Sequence, residues 1–249
     1  MNLSDITLVV TTRDEADNLP RCLASARGFG EVIVVDSFSG DDTVAVARAA
    51  HATVFQRAYR SPADQKNWAV ARAHHDWVLV LDADEWVDDA LLAEIAALPA
   101  GGPPGYWIYR RNQYMGRVIR HCGWNRDRVL RLYDRRRGHY PDARVHEEIV
   151  LQGKAGRLRT RLHHRPYRDL EHHLEKIDAY TASGALQAVD RGLRAPWLHM
   201  LVHPPFRFFR MYVLQLGVAD GYPGLVLCLM ASASVFFKYA RAWEKRRRP

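Results

Sequence analysis

VLVLDADEW, residues 78–86, is an apolar run that stops on a carboxylate, skips one small residue and presents two more. Asp82, Asp84 and Glu85 repel one another and must be hydrated, hydrogen-bonded or bound to a cation. The apolar part carries no alternation, so it reads as a strand covered on both faces, which is the habit of parallel sheets. The rest of the first hundred residues agrees. ITLVVTT, EVIVVD and ATVFQR are further short β-rich runs, and helical segments are expected near residues 17–27, 41–50, 62–74 and 88–98. The pattern predicts an α/β fold with a doubly wound, mostly parallel sheet. Ligands of such sheets collect beyond the carboxyl ends of the strands, where TTRDE, VVDSFSGDDT and LDADEW all fall.

Local signals support these elements. Ser61 followed by Pro62 reads as an N-cap and a first-turn proline. Asp41 and Asp42 are suited to capping the second helix. PAGGPPG, residues 99–105, is a strong helix stop and the expected boundary of a first segment, 1–100. Residues 106–164, rich in Arg, aromatics and turn formers, read as an irregular β region carrying a binding surface. Helical periodicity returns at residues 170–191 and closes a second segment, 101–195.

The third segment, 196–249, is different in kind. PPFRFFRMYVLQL sets Arg207 and Arg210 among aromatics and leucine, residues 220–224 read as a turn, and LVLCLMASASVFF runs uncharged into KYARAWEKRRRP. The uncharged stretch only just reaches the roughly 17 residues a spanning helix needs, and Pro223 is expected to shorten it. The expectation is a helical hairpin lying in or dipping into one leaflet. Its basic end would favour an anionic membrane surface by about 1 kcal/mol per charge near the lipid. A buried C-terminal helix with a solvated basic end is the alternative.

The totals narrow the classes. The chain has 249 residues, 48% hydrophobic, and a formal net charge of +8. That supports one sizeable core and a polyanionic partner. The basic residues do not interleave with a recognisable nucleic-acid module, so no nucleic-acid partner is expected. No GxGxxG or GxxxxGK[ST] loop occurs, which argues against a dinucleotide enzyme or a P-loop NTPase. Cys22, Cys122 and Cys228 lie too far apart for a metal knuckle or a disulfide framework, and a reducing cytoplasm is expected. The amino-terminal MNLSDITLVVTT carries Asp5 where a signal peptide would be apolar and reads as a strand.

Asp82-Ala83-Asp84 at a strand end can place two carboxylates on one divalent cation that also bridges to substrate phosphates. Asp36 ends the second strand and is placed to accept hydrogen bonds from a base or ribose. Thr12, Arg13 and Glu15 lie at the neighbouring mouth. Lys66, in QKNWA, offers a positive contact to a phosphate. Arg126, Arg128 and Arg131 near Trp124 carry guanidinium forks that match phosphate oxygens. Tyr114, Trp124 and Tyr133 are candidates to stack on a sugar, or else core aromatics. His163 and His164 are candidates for a third metal ligand, or else structural histidines.

In this order these elements resemble the family 2 glycosyltransferases of the GT-A fold, through TTRDEADNLPRCLAS, VVDSFSGDDT, QKNWA and LDADE. RRNQYMGRVIRHCGW, LRLYDRR, VHEEI, the His pair and the C-terminal hairpin extend the resemblance to the bacterial branch that adds sugars to the lipopolysaccharide inner core. Asp14 departs from the family, which usually has Asn there, and changes a hydrogen-bond donor to an acceptor. The resemblance implies an inverting, membrane-associated enzyme on the cytoplasmic face of the bacterial inner membrane. It implies a nucleotide-sugar donor, UDP-glucose, and a lipid-linked saccharide acceptor, an inner-core heptose. Asp36, with TTRDE, would recognise the nucleoside, and Asp82 and Asp84 would hold Mg2+ or Mn2+ against the diphosphate. Inversion needs a base beside the acceptor hydroxyl. Glu147 is the expected base, with Glu148 and Asp127 as rivals.

Two other classes stay open on sequence alone. A metal-dependent phosphatase also uses a strand ending in DxD, although normally on its first strand. A non-catalytic membrane adaptor would keep the fold without turnover.

Overall fold

A computed structural model describes residues 1–141, 148–193 and 195–247. The chain runs through β1 (Ile6–Thr12), α1 (Leu19–Ala24), β2 (Glu31–Asp36), α2 (Thr43–Ala49), β3 (Thr53–Gln56), α3 (Pro62–Val70), β4 (Trp77–Asp82), β5 (Glu85–Trp86) and α4 (Asp89–Ala96). It continues through β6 (Gly105–Tyr114), β7 (Arg117–Val118), β8 (Arg128–Asp134), β9 (Gly138–His139), β10 (Val150–Leu151), β11 (Gly156–Arg157) and β12 (Leu162–His164). Three helices follow: α5 (Leu170–Asp190), α6 (Pro196–Phe209) and α7 (Gly221–Arg247). Two compact units result, the first from Met1–Arg111 and Asp127–His164, the second from Asn112–Arg126 and Arg165–Pro249.

In the first unit the sheet order is β3-β2-β1-β4-β8-β6-β12-β5. The doubly wound reading holds for β1 to β4, whose pairings are all parallel. Beyond β4 the sheet turns antiparallel, through β8 and β6. Alternate residues of the central strands enter opposite cores. Ile6, Leu8, Val10, Leu79 and Leu81 meet α1 and α4 through Leu19, Leu23, Leu91 and Ile95. Val9, Val78 and Val80 meet α3 through Ala63, Ala69 and Val70. Both faces are therefore dry, which is why these strands carry no polar alternation.

Caps act as the residues foretell. The Ser61 hydroxyl accepts from the Asp64 N–H, and Pro62 takes the first turn of α3. Asp41 accepts from the Thr43 N–H at 3.0 Å, while Asp42 occupies the N-cap of α2 without a side-chain bond. The helices α1 and α3 are shorter than expected, because the residues beyond them fold into turns rather than continuing the period.

The second unit is helical. Its small core gathers Tyr114, Ile119, Cys122, Met211, Leu227 and Cys228. The Asp220 carboxylate accepts from the N–H groups of Arg120 and His121, at 3.0 and 2.8 Å. Prolines enter two of its helices. α6 begins at Pro196 and continues through Pro204 and Pro205, and the Ser232 hydroxyl of α7 donates to the Pro204 carbonyl at 2.8 Å. Pro223 stands in the first turn of α7, where a missing N–H costs nothing, so it does not shorten the helix. By length and composition the stretch Gly217–Arg247 is long and apolar enough to cross a membrane.

Candidate active site

Register brings the first-unit candidates together. β1 lies between β2 and β4, with Thr12 opposite Asp36 and Thr11 opposite Asp82. Three carboxyl ends therefore open at one edge. The loops after β1 and β2 are tied to each other by four bonds. The N–H of Asp14 donates to Ser39 Oγ at 2.8 Å, and that of Gly40 to Asp14 Oδ1 at 2.7 Å. The N–H of Glu15 donates to Thr43 Oγ1 at 2.9 Å, and that of Ala16 to Asp41 Oδ2 at 3.1 Å. Asp14 adopts a left-handed backbone, φ 53°, which Asp tolerates better than most residues. Its acceptor is used here, because an amide N–H points at it.

Asp36 is fully buried. Its carboxylate accepts from the Ser39 hydroxyl, from the Ser39 N–H at 3.0 Å and from Gln56 Nε2 at 3.1 Å. Thr12 is buried and Arg13 is exposed. Glu15 accepts from Asn18 Nδ2 at 2.7 Å, fixing the start of α1.

The carboxylates of the opening stretch separate into two environments. Asp82 and Glu85 sit in an ion network. Lys66 Nζ is 3.0 Å from Asp82, and Arg131 donates to Asp82 and, at 3.0 Å, to Glu85. Arg110 donates to Glu85 at 3.2 Å and to both oxygens of Asp127, at 2.8 and 2.9 Å. Glu85 is fully buried, and it also accepts from the Asp82 N–H at 3.0 Å. Burial alone would raise the Asp82 carboxyl, but Arg131 and Lys66 outweigh it and hold it far below the usual carboxylate range. Burial alone would likewise lower the Arg131 guanidinium, and Asp82 and Glu85 reverse that.

Asp84 lies beside a histidine. Antiparallel pairing of β12 with β5 sets His164 opposite Glu85, and His164 Nε2 lies 3.6 Å from Asp84 Oδ1. His163 instead stacks on Trp86, ring centres 5.0 Å apart, with Nε2 3.1 Å from the α4 cap Asp88. Of the two histidines, His164 is the one beside the DxD stretch. Among the described residues, no group of three or more His, Cys, Asp and Glu side chains forms a metal cage by itself. Asp84 and His164 nonetheless set an oxygen and a nitrogen donor side by side, at the edge where a substrate's own oxygens can complete a coordination shell.

A cavity of about 440 Å³ adjoins the network, lined by Lys66, Asp82, Arg110, Arg131, Trp107, Arg128, Tyr140 and Glu148 among others. Arg128 stacks on Trp107, its guanidinium 4.6 Å from the ring centre, and no carboxylate among the described residues pairs with it. Glu148 is exposed at this cavity. Glu147 lies outside the described residues. Trp124 and Arg126 belong to the second unit. Tyr114 and Tyr133 are buried, which makes them core aromatics rather than sugar platforms. Glu85 is marked in the sequence as a strand-end carboxylate in need of a partner, whereas Arg110, Trp107 and Tyr140 carry no sequence signal of their own.

The chain matches the model of the family described as glycosyl transferase family 2 over residues 7–145. It is 28% identical over 247 residues to the lipopolysaccharide core biosynthesis glycosyltransferase LpsC of Rhizobium meliloti, covering 95% of this chain and 91% of the relative. It is 25% identical over 260 residues to an uncharacterized glycosyltransferase of Rickettsia felis, covering 97% and 90%. Among solved structures, TarS 1–349 of S. aureus aligns with a TM-score of 0.40 at 22% identity, covering 43% of this chain and 36% of that one.

Proposed function

Because the chain belongs to glycosyl transferase family 2, we propose that it moves a sugar from a nucleotide donor onto the lipopolysaccharide core. It is a nucleotide-sugar-dependent glycosyltransferase; UDP-glucose as donor and an inner-core heptose as acceptor make up the finer reading. Nearly end-to-end similarity to LpsC supports the lipopolysaccharide assignment. The observation that carries the transfer reading is the meeting of the β1, β2 and β4 ends beside a cavity rich in cations.

In this reading, residues 1–100 supply the donor half. Thr12, Arg13 and Glu15 line the nucleoside mouth. Asp36, whose carboxylate also holds Ser39, recognises the nucleoside. Asp82 and Asp84 would hold Mg2+ or Mn2+ against the donor diphosphate, whose oxygens would complete the shell, with His164 beside Asp84. When bound, such a cation neutralises charge on the departing diphosphate. Asp82 is already neutralised by Lys66 and Arg131, so Asp84 is the more direct ligand. Lys66 and Arg131 then stand at the diphosphate as fixed cations.

Residues 101–195 supply the acceptor side. The acceptor hydroxyl oxygen attacks the anomeric carbon as the bond from that carbon to the diphosphate breaks, with inversion. Its proton passes to a carboxylate, for which Glu147 is our choice. Glu148, exposed at the cavity, is the nearer rival; Asp127 is held by both donors of Arg110 and is the poorer one. Arg128 and Trp124 are assigned to the acceptor.

Residues 196–249 associate with the cytoplasmic face of the inner membrane as a peripheral or monotopic element. Exposed Trp197, Leu201, Phe206 and Phe209 on α6, with the basic end of α7, support that role. No feature favours the phosphatase or the adaptor.

The test is to titrate UDP, GDP and CMP with and without Mn2+, and to repeat it with Asp84→Ala. One nucleoside diphosphate should bind far more tightly with metal, and the substitution should remove that gain. Equal binding by both proteins would sink the metal assignment.

A further inference from the structure

One face of the antiparallel half of the sheet, wholly within the first unit, carries a pattern that the transfer reading leaves unused. Along β6, Ile108 enters the core, so Trp107 and Tyr109 stand on the opposite face. The strands on either side each place an arginine there: Arg128 of β8 pairs with Tyr109, and Arg157 of β11 with Trp107. An aromatic column is thus flanked by two guanidinium groups, and each lies over the ring diagonal to it. Arg128 is 4.6 Å from the centre of the Trp107 ring, and Arg157 is 4.4 Å from that of Tyr109. Arg161, from the loop before β12, adds a third guanidinium 5.6 Å from the Tyr109 ring and donates to the Arg110 carbonyl at 3.1 Å.

Stacking decides what these cations can do. A guanidinium laid on a ring spends its flat face there and keeps its in-plane N–H donors at the edge, already oriented for an oxyanion. All three arginines are exposed. Among the described residues neither Arg128 nor Arg157 forms an ion pair with a carboxylate. Glu94, which reaches this loop from α4, is engaged by the N–H groups of Arg159 and Thr160, both at 2.7 Å. Glu148 shares the 440 Å³ cavity with Arg128 and is one carboxylate against three guanidinium groups. Trp107 also lines that cavity, so the strip begins in its wall and continues over β6 to Arg157. Trp107 and Tyr109 stand two residues apart, about 7 Å along the strand, so their guanidinium groups address separate oxyanions.

We propose that this strip docks the acceptor through its acidic groups: a saccharide bearing phosphates lies over β6, with Arg128 and Arg157 each gripping a different phosphate while the hydroxyl to be glycosylated reaches into the cavity. Guanidinium forks match phosphate oxygens, and forks fixed on rings lose little freedom in closing on them. The inference rests on the acceptor reading above and adds what that acceptor carries. It extends the acceptor contacts from Arg128 to Arg157, with Tyr109 as the positioning residue beneath it.

The experiment is calorimetry on the full chain in a non-ionic detergent. The probes are a deacylated lipopolysaccharide core oligosaccharide, the same oligosaccharide stripped of its phosphates, UDP, and, without detergent, phosphatidylglycerol vesicles. The phosphorylated oligosaccharide should bind about tenfold tighter than the stripped one. Arg157→Gln should remove most of that advantage and Arg157→Lys only part of it. Tyr109→Leu keeps every charge but removes the platform under Arg157, and should weaken the phosphorylated probe about threefold. UDP should bind all these variants alike, and Arg48→Gln, which removes an exposed charge on α2, should leave the oligosaccharide affinity unchanged. Equal affinity for the two oligosaccharides, or indifference to both Arg157→Gln and Tyr109→Leu, would overturn the proposal. So would a loss confined to the vesicles, which would make the strip a membrane contact. The expected binding pattern in a protein that transfers no sugar would keep the strip and sink the transfer reading. Transfer by a protein that binds both oligosaccharides equally would do the reverse.

Discussion

The two units treat charge in opposite ways. In the first, Lys66, Arg110 and Arg131 are matched to Asp82, Glu85 and Asp127, so a cluster of buried ions closes on itself. In the second, Arg207 and Arg210 face no carboxylate among the described residues, and Trp197, Leu201, Phe206 and Phe209 stand exposed. The first unit pairs its buried charges internally, although Arg131 Nε and the Tyr140 hydroxyl at the cavity have no hydrogen-bond partner among the described residues. The second leaves these cations and apolar side chains at its surface. Buried ion networks are weak sources of stability, but breaking one is costly, so the first unit spends its charge on geometry.

Four perturbations test this contrast. The largest effect is expected from Asp84→Ala, which should cut turnover on the order of 10³-fold, with steady-state transfer assays as the measure. If Lys66 and Arg131 alone neutralise the diphosphate, the loss will be far smaller and metal will not matter. Glu85→Ala leaves Arg110 and Arg131 each short of a partner and should cost about 3 kcal/mol of stability in denaturant melts. No change there would mean that the network does not hold the site. Glu147→Gln should leave donor binding intact while lowering transfer by at least ~10²-fold. Unchanged turnover would move the proton to Glu148.

The smallest effect concerns pH and sharpens the contrast most. His173 has its pKa lowered to about 4, so the folded second unit binds its proton less readily than the unfolded chain does. Its contribution is therefore lost as pH falls from about 6.5 towards 4 and changes little below that. Asp82 has a depressed carboxyl pKa, so its contribution is present above the unfolded value and is lost only in stronger acid. Hydrogen exchange between pH 7 and 4.5 should thus loosen helices α5 and α7 before β1 and β4, and His173→Gln should flatten that difference. Simultaneous loosening would count against it.

Much of the first unit was legible because its local rules agree. Two-sided apolar runs gave the parallel strands, Ser61-Pro62 gave a helix start, and carboxylates at strand ends marked the mouth. The ion network was not legible. Glu85 meets Arg110 and Arg131 across 25 and 46 residues, and nothing in a strand's own sequence states which charge across the sheet it will face. His164 rather than His163 approaches Asp84 for the same reason, since the choice is made by register with β5. α6 carries Pro204 and Pro205 inside it, with Ser232 from α7 bonded at the same point, which no local signal in the sequence states. The antiparallel half of the sheet was read only as irregular β, because β6 and β8 carry arginines and polar residues among their apolar ones where the parallel strands run unbroken.

Sheet order also has a bearing on how the chain is made. β8 inserts between β4 and β6, pairing Trp77 with Asp134 and Gly105 with Tyr133, although it follows both in the chain. A ribosome that has delivered the first 111 residues has delivered a sheet with its central seam open. The excursion of residues 112–126 into the helical unit comes before the strand that closes it. Until residue 134 has emerged, the edge of β4 lacks its partner, and an unpaired strand edge is a template on which other extended segments can pair.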